Sequence, residues 1–372
     1  MPRPNLFPLV LAAAAVVLAS CQQMPEQRAG AAAAAPKFAV DPAWPKPLPE
    51  NWILGQVAGI AVDKDDRIWV LHRPTTLVDD EKGAMANPPT TKCCRPAPAV
   101  LQFDADGNLL KSWGGPGAGY DWPTSEHGIF IDVEGNVWLA GNSNTDHQLL
   151  KFTPDGKFLQ QIGKRGATGG SNSMTQLGRP AHMVIDAAAG EIYVADGYGN
   201  RRILVLDAKS GAYKRHWGAY GNVPNDDKQP AYDPAKSLLQ QFGNPVHCVR
   251  LSRDGFVYVC DRQNDRIQVF EKSGKFVKEF RVEPATLQNG SVWDLVLSED
   301  VTERYIFVAD GANNQILVLD RQTGVTLSAF SRPGRMAGEL KWVHNMAIDS
   351  KGNLYTAEVG TGRRAQKFKR VE

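Results

Sequence analysis

Three of the chain's seven histidines share one position in a repeated strand–turn–strand pattern. His127, His247 and His344 each lie five residues before the residue that opens the turn, as His127 does before Asp132. Imidazole nitrogens are favoured zinc ligands, and three of them leave one coordination position open in catalytic zinc sites. If alternate repeats face one another around an axis, the three side chains converge. The pattern therefore predicts a metal site with room for a substrate.

The repeat that carries these histidines is a β-hairpin followed by two further strands. In the second copy, Glu134-Gly135-Asn136 forms the hairpin turn between two β-rich runs. Six copies of the unit predict an all-β fold, a six-bladed β-propeller over residues 37–372, in which alternate blades are about 120° apart. The last copy has only three strands, so an N-terminal strand at 37–40 is expected to complete and close it.

Polar residues follow the second strand of several copies, on the same face as the histidines. Arg73 in blade one and Arg262 in blade four suit a carboxylate, because a guanidinium can bind both oxygens. Tyr198 in blade three could act as a base beside a metal and arginine charge. A plainer interpretation pairs these arginines with neighbouring turns and makes Tyr198 a loop aromatic. His182 lies one residue out of register, so we expect a supporting role rather than metal binding.

The first 21 residues have the organisation of a bacterial lipoprotein signal peptide. A positive start and an apolar run at 9–18 precede Leu18-Ala19-Ser20-Cys21, which resembles a lipobox. The expected product is an exported protein, anchored to the membrane through lipid on Cys21 at the periplasmic side of the envelope. Gln22, rather than Asp, favours the outer membrane, and residues 22–36 form a flexible tether. Ordinary signal cleavage, with an incidental Cys21, is the alternative.

Four further cysteines form two possible pairs. Cys93 and Cys94 are adjacent in a loop, whereas Cys248 and Cys260 lie roughly opposite each other on one hairpin. In an exported protein either pair can be oxidised. Two buried free thiols are the alternative for Cys248 and Cys260.

The net charge of +2 and the lack of a basic stripe argue against a nucleic-acid partner. A small molecule or a peptide is the expected ligand. We expect the chain to act as a monomer.

These motifs resemble NHL-repeat propellers and, more closely, the catalytic core of peptidyl-α-hydroxyglycine α-amidating lyase. The resemblance covers about residues 48–370 and includes His127-Gly128, Pro245-Val246-His247 and His344. It implies that the three histidines bind zinc. It also implies that Tyr198, in the segment Asp196-Gly197-Tyr198-Gly199-Asn200-Arg201-Arg202-Ile203, is the catalytic base.

Further site residues are implied by the same resemblance. Arg73 would hold the substrate carboxylate, with Arg262 as a second catalytic and substrate-binding arginine. His182 would contact substrate at a position where the family usually has Asp.

A structural calcium ion is also implied by the family. It would be held by the carbonyls of Ile60 and Ile129 and by the residue after the third histidine. That residue is Asn345 here, where the family has Asp, so the ligand offers an oxygen without a charge. The loop with Cys93-Cys94 also departs from the family, and we expect no copper monooxygenase domain to accompany the propeller.

The implied reaction is zinc-dependent cleavage of the C–N bond of a carbinolamide, which releases an amide and glyoxylate. A related small hydroxy acid is another possible substrate. The alternative from a different class is a non-catalytic NHL-propeller lipoprotein that binds a peptide, glycan or protein. A calcium-dependent, lactonase-like hydrolase is a third hypothesis, but such enzymes use carboxylate and Asn ligands, so the three histidines count against it.

Overall fold

An aspartate fixes the turn between the first two strands in several repeats. In the computed structural model, which describes Met1 and residues 35–371, Asp132 Oδ1 accepts hydrogen bonds from the Glu134 and Asn136 amides at 3.1 and 2.8 Å. Its Oδ2 accepts the Trp138 indole N–H at 3.0 Å, which ties the turn to the second strand. Gly135 has a φ of 84°, a conformation that glycine adopts without steric cost. Asp63 and Asp349 make equivalent bonds.

Each repeat forms a four-stranded antiparallel sheet, and six such sheets confirm the predicted all-β six-bladed propeller. The strands of blades one to three are Gln56–Val62, Ile68–Arg73, Val100–Phe103 and Leu109–Trp113; Glu126–Ile131, Val137–Gly141, Gln148–Phe152 and Phe158–Gly163; and His182–Asp186, Glu191–Asp196, Arg202–Asp207 and Tyr213–Trp217.

The later blades have the same strand order. Their strands are Val246–Leu251, Phe256–Asp261, Arg266–Glu271 and Phe276–Arg281; Val292–Leu297, Tyr305–Asp310, Gln315–Asp320 and Thr326–Phe330; and Val343–Ile348, Leu354–Glu358 and Arg364–Arg370. The outer strand of blade six is Phe38–Asp41, which pairs antiparallel with Arg364–Arg370.

Irregular segments connect strands within blades as well as neighbouring blades. Trp52–Ile53 and Arg95–Pro96 form a short parallel pair. The 3₁₀ turns of the described residues are Pro49–Asn51, Pro74–Thr76, Asp79–Met85, Ala219–Gly221 and Arg262–Asn264.

An aromatic side chain on the second strand of every blade is almost completely buried. These residues, each at most 2% exposed, are Trp69, Trp138, Tyr193, Tyr258, Phe307 and Tyr355. Large aromatic side chains contribute much of the buried apolar area in a core. They anchor the packing between neighbouring sheets, and the first strands lie side by side around a central tunnel.

Both cysteine pairs are joined as disulfides, Cys93 to Cys94 and Cys248 to Cys260. The second pair links directly opposed residues of the first two strands of blade four. The free-thiol alternative is therefore not what the structure contains.

The predicted signal peptide at 1–21 and nearly all of the tether at 22–36 lie outside the described residues. Among the residues that are described, no helix has the length and apolar character needed to cross a bilayer.

Candidate metal centre

Each of the three histidines lies at a β-bulge in the first strand of its blade. In blade four the pairing passes from Val246 to Cys248 and skips His247, and in blade six it skips His344. In blade two the register shifts across His127 and Gly128. A bulge takes a residue out of the ladder and re-aims its side chain. The bulges thus explain how residues of innermost strands present their rings to the tunnel.

The three imidazoles converge as the repeat pattern predicts. The ring centroids are 4.6 Å apart for His127 and His344, 4.8 Å for His247 and His344, and 5.1 Å for His127 and His247. One nitrogen of each ring lies within 4.8 Å of the other two, and no ring is more than 4% exposed.

A hydrogen bond to the next blade orients each ring. The Nδ1 atoms of His127 and His344 lie 2.7 Å from backbone carbonyl oxygens, and His247 makes the corresponding contact. The accepting residues occupy the aligned position of the following blade: Ala181, Ala58 and Trp293. Because a carbonyl only accepts, Nδ1 carries the proton and Nε2 keeps its lone pair. The site therefore offers three neutral Nε2 donors.

Burial also keeps these histidines neutral. It is the largest cause that lowers the pKa of all three, to about 3 for His344, and nearby positive charge adds to the effect. Neutral imidazole is the form that binds metals. The donor set, its tautomer and its spacing all fit a metal ion held by His127, His247 and His344.

The Tyr198 hydroxyl lies directly beside this cluster. It is 3.0 Å from His127 Nε2 and 3.1 Å from His247 Nε2. The loop after the second strand of blade three holds it there, because Asp196 accepts bonds from the Gly178 amide, Asn200 and Arg202 at 2.7–2.9 Å. The phenol oxygen is therefore placed against the same nitrogens that would bind a metal.

Gly197 allows this loop to approach blade four. A Cβ at Gly197 would overlap the backbone nitrogen and carbonyl oxygen of Val246, the residue before His247. The loop and the histidine strand are therefore in direct backbone contact, which couples the position of Tyr198 to that of His247.

Of the two predicted arginines, Arg262 contacts the tyrosine and Arg73 lies near it. Arg262 is 8% exposed, its Nη1 lies 3.4 Å from the Tyr198 hydroxyl, and its guanidinium stacks 4.6 Å from the Trp293 ring centroid. Arg73 donates from Nε to the Glu126 carbonyl at 2.7 Å and from Nη1 to Gln56 at 3.0 Å. The alternative interpretation paired Arg73 and Arg262 with neighbouring turns. Within residues 35–371, however, neither arginine forms a salt bridge.

A third arginine, Arg179, belongs to the same group and was not predicted from the sequence. Its guanidinium lies 5.6 Å from the Tyr198 ring centroid, and its Nε donates to the Asn142 carbonyl at 2.9 Å. Arg179 stands two residues before the aligned position of blade three, as Gln56 does in blade one. A search for polar residues two positions before the aligned position of each blade could have identified Arg179 from the sequence.

His182 lies apart from this group. Its Nδ1 is 3.1 Å from the Val249 carbonyl oxygen, and it is not one of the three clustered rings. Burial, reinforced by Arg250, lowers its pKa well below the usual value. Its role as a substrate contact stays a prediction.

The residues proposed for calcium do not suit that ion. Asn345 Oδ1 accepts the Ile60 amide at 2.7 Å, and its Nδ2 donates to Asp294. Arg250 supplies a positive charge next to them, through a 2.8 Å bond to Asp294 and a 2.9 Å bond to the Leu295 carbonyl. Calcium needs several free oxygen ligands, but the Asn345 oxygen is already engaged and a fixed cation is already present. Ile60 and Ile129 therefore lack the third ligand that the resemblance requires.

The fold and the histidine cluster define a six-bladed propeller with a candidate metal centre in its tunnel. No protein-family model matches the chain. Peptidyl-alpha-hydroxyglycine alpha-amidating lyase 2 of Drosophila melanogaster is 29% identical over 335 residues, which cover 86% of this chain and 74% of the relative. NHL repeat-containing protein 3 of Mus musculus is 26% identical over 356 residues, which cover 90% and 84%. The resemblance to amidating lyases and NHL-repeat proteins is thus confirmed.

One solved structure is comparable in fold. A protein of unknown function from Bacteroides thetaiotaomicron is 13% identical, with a TM-score of 0.53 over 85% of this chain and 70% of that one. At this identity the similarity concerns the fold alone.

Proposed function

We propose that the protein is a zinc-dependent lyase that cleaves the C–N bond of a carbinolamide. The observation that carries the proposal is the Tyr198 hydroxyl, 3.0 and 3.1 Å from two of three converging Nε2 atoms. A binding scaffold has no need of three uncharged metal donors with a phenol against them. The reaction converts R–CO–NH–CH(OH)–COO⁻ into R–CO–NH₂ and OHC–COO⁻, so all atoms are accounted for.

Zinc is the ion that best matches this donor set. His127, His247 and His344 would hold it, with the Nδ1 bonds to blade carbonyls as the outer support that fixes their orientation. Three histidine ligands leave one coordination position free in catalytic zinc sites. When bound, the ion supplies a Lewis acid that makes a hydroxyl group in that position more acidic.

Tyr198 is placed to accept the proton of the carbinol hydroxyl. Its oxygen lies 3.0 and 3.1 Å from the Nε2 atoms of His127 and His247, which would hold the ion, and Arg262 Nη1 lies 3.4 Å from it. As the electrons of the O–H bond form the aldehyde, the C–N bond breaks and the amide nitrogen takes a proton. Tyr198, now protonated, can return that proton, which completes a cycle without another base.

Arg73 is placed to hold the substrate carboxylate. Bonds to Glu126, Gln56 and Asn142 fix the guanidinium and leave two of its five N–H groups without partners among residues 35–371. Those donors can bind a carboxylate at both oxygens. Orientation of this kind brings the reacting atoms to the metal and the tyrosine.

The central test combines metal analysis with turnover of an N-acyl-α-hydroxyglycine. Purified protein is expected to hold about one zinc per chain and to release glyoxylate. The His127→Ala/His247→Ala/His344→Ala variant should lose both. Tyr198→Phe should keep its zinc and lose roughly 10²–10⁴-fold in turnover. A fully active Tyr198→Phe variant would show that the tyrosine is not the base.

The second candidate function is a binding propeller without catalysis. It is favoured by the 26% identity to NHL repeat-containing protein 3, whose name carries no lyase activity. Protein that takes up no zinc when supplied with it, and that releases no glyoxylate, would support this alternative.

We also propose that the protein is exported and lipid-anchored through Cys21 at the periplasmic side of the outer membrane. Export agrees with the two disulfides, which form in oxidising compartments. The Cys21→Ala variant should move from the membrane fraction to the soluble periplasmic fraction. If the variant stays in the membrane fraction, the anchor lies elsewhere.

A further inference from the structure

We propose that Arg179 selects substrates that carry a second carboxylate close to the scissile amide. This rests on the proposed lyase function and names its substrate class: an α-hydroxyglycine amide with an acidic acyl group, such as a dicarboxylic acid linked through one of its two carboxyls.

The position of Arg179 is fixed by contacts with two loops, residues 142–147 and the loop that carries Tyr198. Its amide donates to His147 Nδ1 at 3.2 Å, its carbonyl accepts the Tyr198 amide at 3.2 Å, and its Nε donates to the Asn142 carbonyl at 2.9 Å. These bonds hold the guanidinium beside the Tyr198 ring. Its Nη2 makes no hydrogen bond to any residue within 35–371, so that group remains available to a ligand.

Arg179 and Arg73 are linked through one residue. Arg73 Nη2 donates to the Asn142 side-chain oxygen at 3.3 Å, and Arg179 Nε donates to the backbone carbonyl of the same residue. Both guanidinium groups therefore contact Asn142. A ligand carboxylate on Arg73 would lie only a few atoms from a second one on Arg179.

The charge balance of this region calls for an anionic ligand. Arg179 and Arg262 contact Tyr198 and Arg73 lies nearby, and within residues 35–371 none of the three makes a salt bridge. Arg262 is 8% exposed, and its Nε has no hydrogen-bond partner in that range. Glu126 and Asp146 are close enough to act on Arg73, but no carboxylate among residues 35–371 pairs with Arg179 or Arg262. Neighbouring cations repel one another, and a bound anion relieves that cost. In the proposed reaction Arg73 holds the substrate carboxylate and Arg262 lies beside the Tyr198 oxygen, so Arg179 is the arginine without an assigned partner.

A matched pair of substrates tests the inference. N-succinyl-α-hydroxyglycine carries the second carboxylate, and N-succinamoyl-α-hydroxyglycine replaces it by an uncharged amide of the same shape. The full-length, zinc-loaded protein should prefer the succinyl compound by roughly tenfold in kcat/KM, mainly through KM, because the contact is remote from the reacting bond.

Three variants complete the test. Arg179→Gln should bring the preference close to one, and Arg179→Lys should retain part of it because the charge remains. Arg165→Gln removes the same charge from an exposed arginine bonded to Trp122 and Thr124, and should keep the preference. Equal melting temperature and zinc content in all variants would show that folding is unaffected.

The outcomes separate this inference from the proposed function. Turnover of both substrates without preference, or a preference that survives in Arg179→Gln, would overturn the role of Arg179. If neither substrate releases glyoxylate, calorimetry with N-succinylglycine and N-succinamoylglycine decides. Tighter binding of N-succinylglycine that depends on Arg179 would support the role of Arg179 in selectivity and reject the lyase function. Equal binding of the two compounds, or no binding, would reject both.

Discussion

The tunnel contains two polar layers that differ in how completely their groups are satisfied. The histidine layer consists of His127, His247, His344 and Tyr198. The arginine layer consists of Arg250, Asp294 and Asn345. Arg250 follows His247 by three residues on one strand, which places its backbone about 10 Å further along the tunnel.

In the histidine layer the outward nitrogens are bonded and the inward ones converge on a shared space. In the arginine layer the charges neutralise each other, and Asp294 accepts bonds from Arg250, Asn345 and the Met346 amide. The comparison shows that neighbouring positions of one repeat can build either an open ligand site or a closed structural network. The open ligand site is marked by pre-oriented metal donors that converge on one space.

Breaking the arginine layer is expected to have the largest effect on stability. Arg250→Met leaves Asp294, which is 1% exposed, without its cation and should lower the free energy of unfolding by about 3 kcal/mol. Zinc content should not change, because no histidine contact is lost. Urea denaturation and metal analysis measure the two quantities.

The matched control is Arg253→Met, which removes an exposed ion pair with Glu299 and should cost less than about 1 kcal/mol. Equal stability losses for the two variants would mean that the Arg250 network is not a special structural element.

Acid should lower the free energy of unfolding through the buried His72. His72, which precedes Arg73, accepts the Gly55 amide at Nδ1, and burial lowers its pKa to about 4. The unfolded chain therefore binds one more proton than the folded chain between pH 6.5 and about 4. Metal-free protein should lose about 1.4 kcal/mol per pH unit from this group as pH falls through that window, and nothing above it.

His72→Asn keeps an acceptor for Gly55 but does not titrate. Its unfolding free energy, measured by urea denaturation, should fall less steeply with acid than that of the wild type. Parallel pH profiles would contradict the assignment.

Displacing Tyr198 should affect the histidine layer alone. Gly197→Ala forces the loop away from Val246, and a shift of about 1 Å at a catalytic group can cost roughly 100-fold in turnover. Zinc content should remain near that of wild type. Gly190→Ala is the control in the same blade: its φ of 62° makes the substitution strained, but its Cβ would meet nothing within 4 Å and would not displace the Tyr198 loop. Unchanged turnover in Gly197→Ala would show that this backbone contact does not position the tyrosine.

Calcium should have the smallest effect. Because Arg250 already supplies the positive charge, millimolar calcium should shift the melting temperature by less than about 1 °C. The Arg250→Met/Asn345→Asp variant removes the guanidinium and adds a carboxylate, so calcium should now raise its melting temperature. Strong stabilisation of the wild type by calcium would show that the arginine layer opens to admit the ion.

Most of the fold and the centre of the site could be predicted from the repeat. The turn residues Asp132 and Asp349 and the hairpin glycines mark the blades, and counting from them aligns His127, His247 and His344. These signals are short sequence patterns. In a repeat protein, residues at the same position of each repeat occupy equivalent places in the fold, so the spacing predicts which residues converge.

The remaining site features depend on contacts between distant segments. The Nδ1 bonds to Ala58, Ala181 and Trp293 follow from bulges that spacing does not reveal. Arg179 reaches Tyr198 only because of the path of the preceding loop. Arg250 could have been suspected from the missing charge at Asn345, since a buried Asp294 needs some cation, but its reach across two blades is a property of the packed tunnel.

The Nδ1 hydrogen bonds of His127, His247 and His344 group the six blades into three two-blade modules. Each module joins a blade that supplies an imidazole to the next blade, which supplies the carbonyl: two with three, four with five, and six with one. The third module is assembled from both ends of the chain, and Phe38–Asp41 completes its sheet. Circular permutation with new ends between blades three and four would leave all three modules uncut. New ends between blades two and three would divide the module of His127.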